Sequence, residues 1–149
     1  MVDAWDEQRS RLARAYADFL DAAGALSPEL RERPGACGEW SAKDVVSHSS
    51  GWDEEAVARL VAIRDDPGLP DRSYDVERFN ASAVSARRPL GWDAALAELQ
   101  EAHRRLAALL ASVTPEEARR DPRFGEWAEG RATDFAFHAA QLREWSRGR

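Results

Sequence analysis

The chain has 149 residues, with 44% hydrophobic and 32% charged side chains, which favours one globular domain over a disordered segment. Lys and Arg number 21 against 27 Asp and Glu, a net charge of −6, which predicts no nucleic-acid partner and no anionic membrane surface because both demand a basic face. The single Cys37 excludes an internal disulfide, no apolar run approaches a membrane span, and Met1–Asp6 lacks the regions of a signal peptide, so a cytoplasmic location is expected.

Apolar residues recur at helical rather than alternating spacing. Trp5, Leu12, Tyr16, Phe19, Leu20 and Ala23 form the stripe of a first helix that Gly24 can end. Ser27-Pro28-Glu29 starts a short turn, and Pro34-Gly35 breaks the chain. Ser41 with Asp44 three residues on is a capping signal, and Trp40 and Val45 can staple across it. Val45, Trp52, Ala56, Leu60 and Ile63 continue that second helix. Residues 65–73 read as a connection, followed by a short helix carrying Val76, Phe79, Asn80, Ala83 and Val84 that ends at Arg88-Pro89. Trp92, Leu96, Leu99, Leu106 and Leu110 mark the third long helix. Thr114-Pro115-Glu116-Glu117 is a capping sequence with Pro at the first helical position. Residues 121–131 are expected to be irregular, and a last helix after Gly130 carries Phe135, His138, Leu142 and Trp145. The sum is an all-α four-helix bundle over residues 1–149, with one short extra helix between the second and third.

An internal echo accompanies this layout. At a constant offset of 87, ten residues between 5 and 40 recur, among them Trp5-Asp6 at Trp92-Asp93, Leu12 at Leu99, Pro28-Glu29 at Pro115-Glu116 and Gly38-Glu39-Trp40 at Gly125-Glu126-Trp127. Two Trp matches are costly in this composition, so a duplicated helix pair is expected.

The chain has three histidines. His48 is in line with Val45 and Trp52 and should face inward. Asp134 and His138 are four apart and share a helix face. With His48 from a facing helix they would make two imidazoles and one carboxylate, a three-ligand set that leaves coordination positions open. The same residues also suit a plainer role, as hydrogen-bonded core histidines and an acid favouring a helix start. His103 reads as a boundary residue, and Asp53-Glu54-Glu55 as a solvated face. The six tryptophans read mainly as core plugs. Trp52 and Gln141 are placed as walls of a substrate pocket. No catalytic residue is assigned.

Three stretches together resemble the DinB-like superfamily. Gly38-Glu39-Trp40-Ser41-Ala42-Lys43-Asp44-Val45-Val46-Ser47-His48 with Gly51-Trp52 is similar to its second-helix signature. Phe79-Asn80 and the run Phe135–Leu142 ending at Trp145 are similar to its ClbS/DfsB-like branch. The resemblance implies up-up-down-down connectivity and a divalent metal, nickel or zinc, held by His48, His138 and a third position. That position is Asp134 here, where the family usually has His. It also implies a small-molecule substrate, a low-molecular-weight thiol as possible cofactor, transferase, isomerase or hydrolase chemistry in detoxification, and a homodimer. The alternatives are a bundle that sequesters a small molecule without turnover, and a structural homo-oligomer.

Overall fold

The computed structural model describes residues 2–148. Six α-helices account for the architecture: α1 Ala4–Gly24, α2 Ala42–Asp65, α3 Val76–Ala86, α4 Trp92–Ser112, α5 Pro115–Arg120 and α6 Arg123–Arg147. A 3-10 turn spans Pro28–Leu30. Among the described residues no helix is long and apolar enough to cross a membrane.

The start signals read from the sequence operate locally. Ser41 Oγ accepts from the Asp44 amide at 3.1 Å, and the Asp44 carboxylate accepts from the Ser41 amide at 3.0 Å, closing a full capping box on α2. Thr114 Oγ1 accepts from the Glu117 amide and starts α5 with Pro115 at its first turn. The stripes of α1, α2, α4 and α6 meet in one core in which Phe19, Leu60, Leu99, Phe135 and Leu142 have no exposed surface.

The pairing of named residues fixes the direction of each helix. Gln8 meets Glu129 and Asp18 meets Arg143, so α1 and α6 run parallel. Asp53 meets His103 and Arg64 meets Ser112, so α2 and α4 also run parallel. Trp5 reaches the Val113 carbonyl and Tyr16 stacks on His103, so α1 opposes α4. His48 against His138 and Trp52 against Trp127 make α2 and α6 antiparallel. The order is therefore up-down-down-up, which corrects the up-up-down-down connectivity implied by resemblance; the all-α bundle itself stands.

The connections give the reason for this order. α1 is ~31 Å long at 1.5 Å per residue. The segment 25–41 does not retrace that length. It coils at one end of the bundle, where the Lys43 amide binds the Arg31 carbonyl and Trp145 binds the Leu30 carbonyl. Gly38, at φ +59°, lets the chain reverse between Cys37 and Trp40, whose backbones bond to each other. The long return lies between α2 and α4, and α3 is built into it.

Two parallel pairs, α1 with α6 and α4 with α2, are what a two-fold relating α1–α2 to α4–α6 produces, in keeping with the internal echo. The echo fails at its end: Gly38-Glu39-Trp40 lies in a loop, whereas Gly125-Glu126-Trp127 lies inside α6. The expectation of an irregular 121–131 is likewise corrected. α6 begins at Arg123, two buried side chains, Phe124 and Ala128, anchor that first stretch, and Gly125 lies so close to α1 that a Cβ there would stand 2.6 Å from the Gln8 amide. Gly125 thus serves helix contact.

α3 approaches α2 equally closely: a Cβ on Gly51 would lie 2.6 Å from that of Ala83. Gly51→Ala should therefore cost about 1–3 kcal/mol by overpacking, despite the better helix propensity of Ala. Adding Ala83→Gly should recover part of the loss, measured by urea denaturation of both single variants and the double.

Candidate metal centre

Where α2 and α6 cross, His48, Asp134 and His138 converge, and one donor atom from each lies within 4.8 Å of the others. His48 Nε2 is 3.1 Å from Asp134 Oδ2, and His138 Nε2 is 3.3 Å from Asp134 Oδ1. The two rings are 5.1 Å apart, nearly perpendicular. Both histidines are 5% exposed, and the Asp134 side chain is 26% exposed.

Each ring nitrogen on the far side is also engaged. His48 Nδ1 is 3.0 Å from Asn80 Oδ1 on α3, and His138 Nδ1 is 2.7 Å from Gln141 Oε1 one turn along α6. Amide oxygens accept, so both Nδ1 atoms donate. A neutral imidazole then presents its Nε2 lone pair toward the carboxylate. Lone pairs facing one another repel unless positive charge sits among them, either a proton or a metal ion. The donor chemistry thus fits a divalent cation, with the outer hydrogen bonds that metal-binding imidazoles ordinarily make.

A buried ion network supports the acid. Arg131 Nη1 donates to Asp134 Oδ2 at 2.8 Å, its Nε donates to Asp53 Oδ1 at 2.8 Å, and its Nη2 reaches the Ser49 carbonyl. His103 Nδ1 donates to the other Asp53 oxygen at 2.7 Å. Burial pushes the Asp134 carboxyl upward, but hydrogen bonds from His138 and His48 and the charge of Arg131 outweigh it and hold the group well below the carboxylate range. Burial alone would lower Arg131, yet Asp53 and Asp134 keep it above its ordinary value. Tyr16, stacked on His103 at 3.6 Å, is pushed up to about 12, first by burial and then by the negative Asp53.

Two expectations are corrected by this network. Asp53 is not on a solvated face: it is wholly buried. His103 is not a boundary residue: it is 5% exposed and bound to Asp53. The signal was present in the periodicity. Asp53 falls in the stripe Val45, Ser49, Asp53, Ala56, Leu60, and Arg131 falls in Phe124, Ala128, Arg131, Phe135. Both are charged residues at core positions, where they need partners.

A cavity of about 750 Å³ opens onto the three donors. Trp40, Trp52, Tyr74, Trp127 and Phe137 line its apolar walls, and Cys37 reaches it from the loop before α2. Trp52 is among the residues that line the cavity. Gln141 does not; its carbonyl oxygen is turned onto His138 instead.

Residues 12–146 match the family model described as the mycothiol maleylpyruvate isomerase N-terminal domain. The chain belongs to this family. It is a DinB-like helical bundle protein, and two solved structures share its fold. An uncharacterised protein from Escherichia coli UTI89 aligns with a TM-score of 0.80 at 19% identity, over 99% of this chain and 95% of that one. The colibactin self-resistance protein ClbS, in complex with a dsDNA, aligns with a TM-score of 0.77 at 17% identity, over 97% of this chain and 96% of its own. No curated protein matches the sequence.

The ClbS complex overturns the expectation that the acidic balance leaves no nucleic-acid partner. Net charge sums the whole surface, whereas docking responds to the local field, so −6 does not exclude DNA for a bundle of this shape.

Arg131→Met should cost about 3–5 kcal/mol in urea denaturation, because it leaves the buried Asp53 without its cation. Acid should affect Asp134→Asn less than the parent. A depressed carboxyl contributes its stability above the unfolded value of ~3.9 and loses it as pH falls toward the folded one. The stability gap between parent and Asp134→Asn, measured in chelator, should be constant above pH ~5 and narrow below pH ~4.

Proposed function

We propose that the chain is a metal-dependent enzyme that acts on an electrophilic small molecule, with His48, Asp134 and His138 as the metal ligands and zinc or nickel as the metal. The observation that carries this reading is the convergence of two imidazole nitrogens and a carboxylate at the end of an aromatic cavity. Membership of a family described by a mycothiol-dependent isomerase domain supports a low-molecular-weight thiol as co-substrate, in a transferase, isomerase or hydrolase reaction of the detoxifying kind. A divalent ion held by His48, Asp134 and His138 would supply Lewis acidity, lowering the proton affinity of a water or thiol so that it could act as a nucleophile at neutral pH.

The protein's own residues supply the rest. Arg131 keeps Asp134 ionised and turned toward the histidines. Asn80 and Gln141 hold the two rings by their far nitrogens. Trp40 lies against His48 with ring centroids 5.2 Å apart, and together with Trp52 and Trp127 it excludes water from one side of the site. Trp52 and its neighbours offer flat apolar surface to a substrate's carbon framework. The proposed setting is a cytoplasmic protein that pairs as a homodimer.

Metal analysis of untagged protein tests the reading. Zinc or nickel is expected in stoichiometric amount, with most of it lost in His48→Ala. Equal metal content in His48→Ala would remove that residue from the role, and tight binding of an electrophile without turnover would make the bundle a sequestering protein instead. Duplex DNA belongs in the same binding assay, because ClbS is in complex with it.

A further inference from the structure

Asn80 is brought to the site by α3, the helix of the long crossover, which packs chiefly on α2 at the Gly51–Ala83 contact. Its side-chain oxygen meets two groups one turn apart on α2. Trp52 Nε1 donates to Asn80 Oδ1 at 2.7 Å, and His48 Nδ1 lies 3.0 Å from the same atom. An indole nitrogen can only donate, so the amide atom between the two rings is the oxygen. That oxygen can only accept, so the hydrogen of the His48 contact belongs to Nδ1.

The opposing pull comes from Asp134. Its Oδ2 is 3.1 Å from His48 Nε2, and a carboxylate there favours a hydrogen on Nε2. A ring with its only hydrogen on Nε2 would close onto Asp134 and offer no lone pair to the cavity. Two groups thus compete for which nitrogen of one imidazole carries a hydrogen, and Arg131 blunts the carboxylate by occupying the same Oδ2.

We propose that Asn80 is a positioning residue that keeps a hydrogen on Nδ1 of His48, so that Nε2 is the atom offered to a divalent cation. Its use rests on the metal reading given above, whereas the placement of the hydrogen belongs to the metal-free chain. Trp52 is anchored by the same oxygen, so the cavity wall and the metal-facing ring are oriented together.

The test compares the full-length chain with Asn80→Leu, which removes the acceptor, and Asn80→Asp, which retains one. Histidine ¹⁵N–¹H correlation spectra of the metal-free protein should show His48 carrying a hydrogen on Nδ1 in the parent and in Asn80→Asp. Asn80→Leu should shift the ring to the form with hydrogen on Nε2 alone. Zinc binding, measured with zinc alone by chelator competition, should weaken about 10–100-fold in Asn80→Leu and far less in Asn80→Asp. A parent ring bearing hydrogen only on Nε2 overturns the proposal without any variant having to fold. Equal zinc affinity in the parent and Asn80→Leu, with unchanged Nδ1 signals, also overturns it. A parent that binds no zinc but shows the Nδ1 hydrogen, lost in Asn80→Leu, supports the Asn80 assignment and defeats the metal reading alone.

Discussion

A guanidinium buried between two carboxylates holds this molecule's interior chemistry together. Arg131 binds Asp53 on α2 and Asp134 on its own helix, and Asp53 in turn binds His103 on α4. Three helices are thereby joined by charge as well as by apolar contact. With wholly buried Asp53 and nearly buried Arg131, removing either would leave a buried charge with part of its pairing lost. The arrangement also sets the direction of the Asp134 carboxylate, and with it the place where His48 and His138 can meet an acid.

The bundle order explains why the site lies where it does. α2 and α6 are the antiparallel pair across the middle, each flanked by a parallel neighbour. Their crossing brings together His48, two turns into one helix, and His138, just past the middle of the other. In the up-down-down-up order, the long return between α2 and α4 runs over this face. α3 therefore contributes Asn80 to the outer shell of His48, and the segment before it contributes Tyr74 to the cavity wall. The crossover that the topology requires supplies one of the two outer hydrogen bonds of the histidine rings.

The cavity combines two environments. One side is made of aromatic rings in tilted and edge contact, with Trp52 4.0 Å from Phe79 and 5.1 Å from Tyr74 by centroid. The other is the His–Asp–His cluster backed by Arg131. Cys37 lines the same space from the loop that Gly38 reverses.

The sequence by itself determined the helices and their starts, because capping and 3.6-residue periodicity are local. Ser41 with Asp44 and Thr114 with Pro115 mark true helix beginnings, and the stripes of α1, α2 and α4 are core stripes. The candidate pair Asp134 and His138 was legible from a spacing of four, and His48 from its place in an apolar line. The tertiary structure alone decided the rest. Asp53 looks like one of three solvated acids until Arg131 and His103 arrive from other helices, and Gly125 looks like a loop residue until α1 lies against it. Helix direction, the Asn80 contact and the turning of Gln141 away from the cavity depend on what packs where, and spacing along one chain carries no information about partners from another helix.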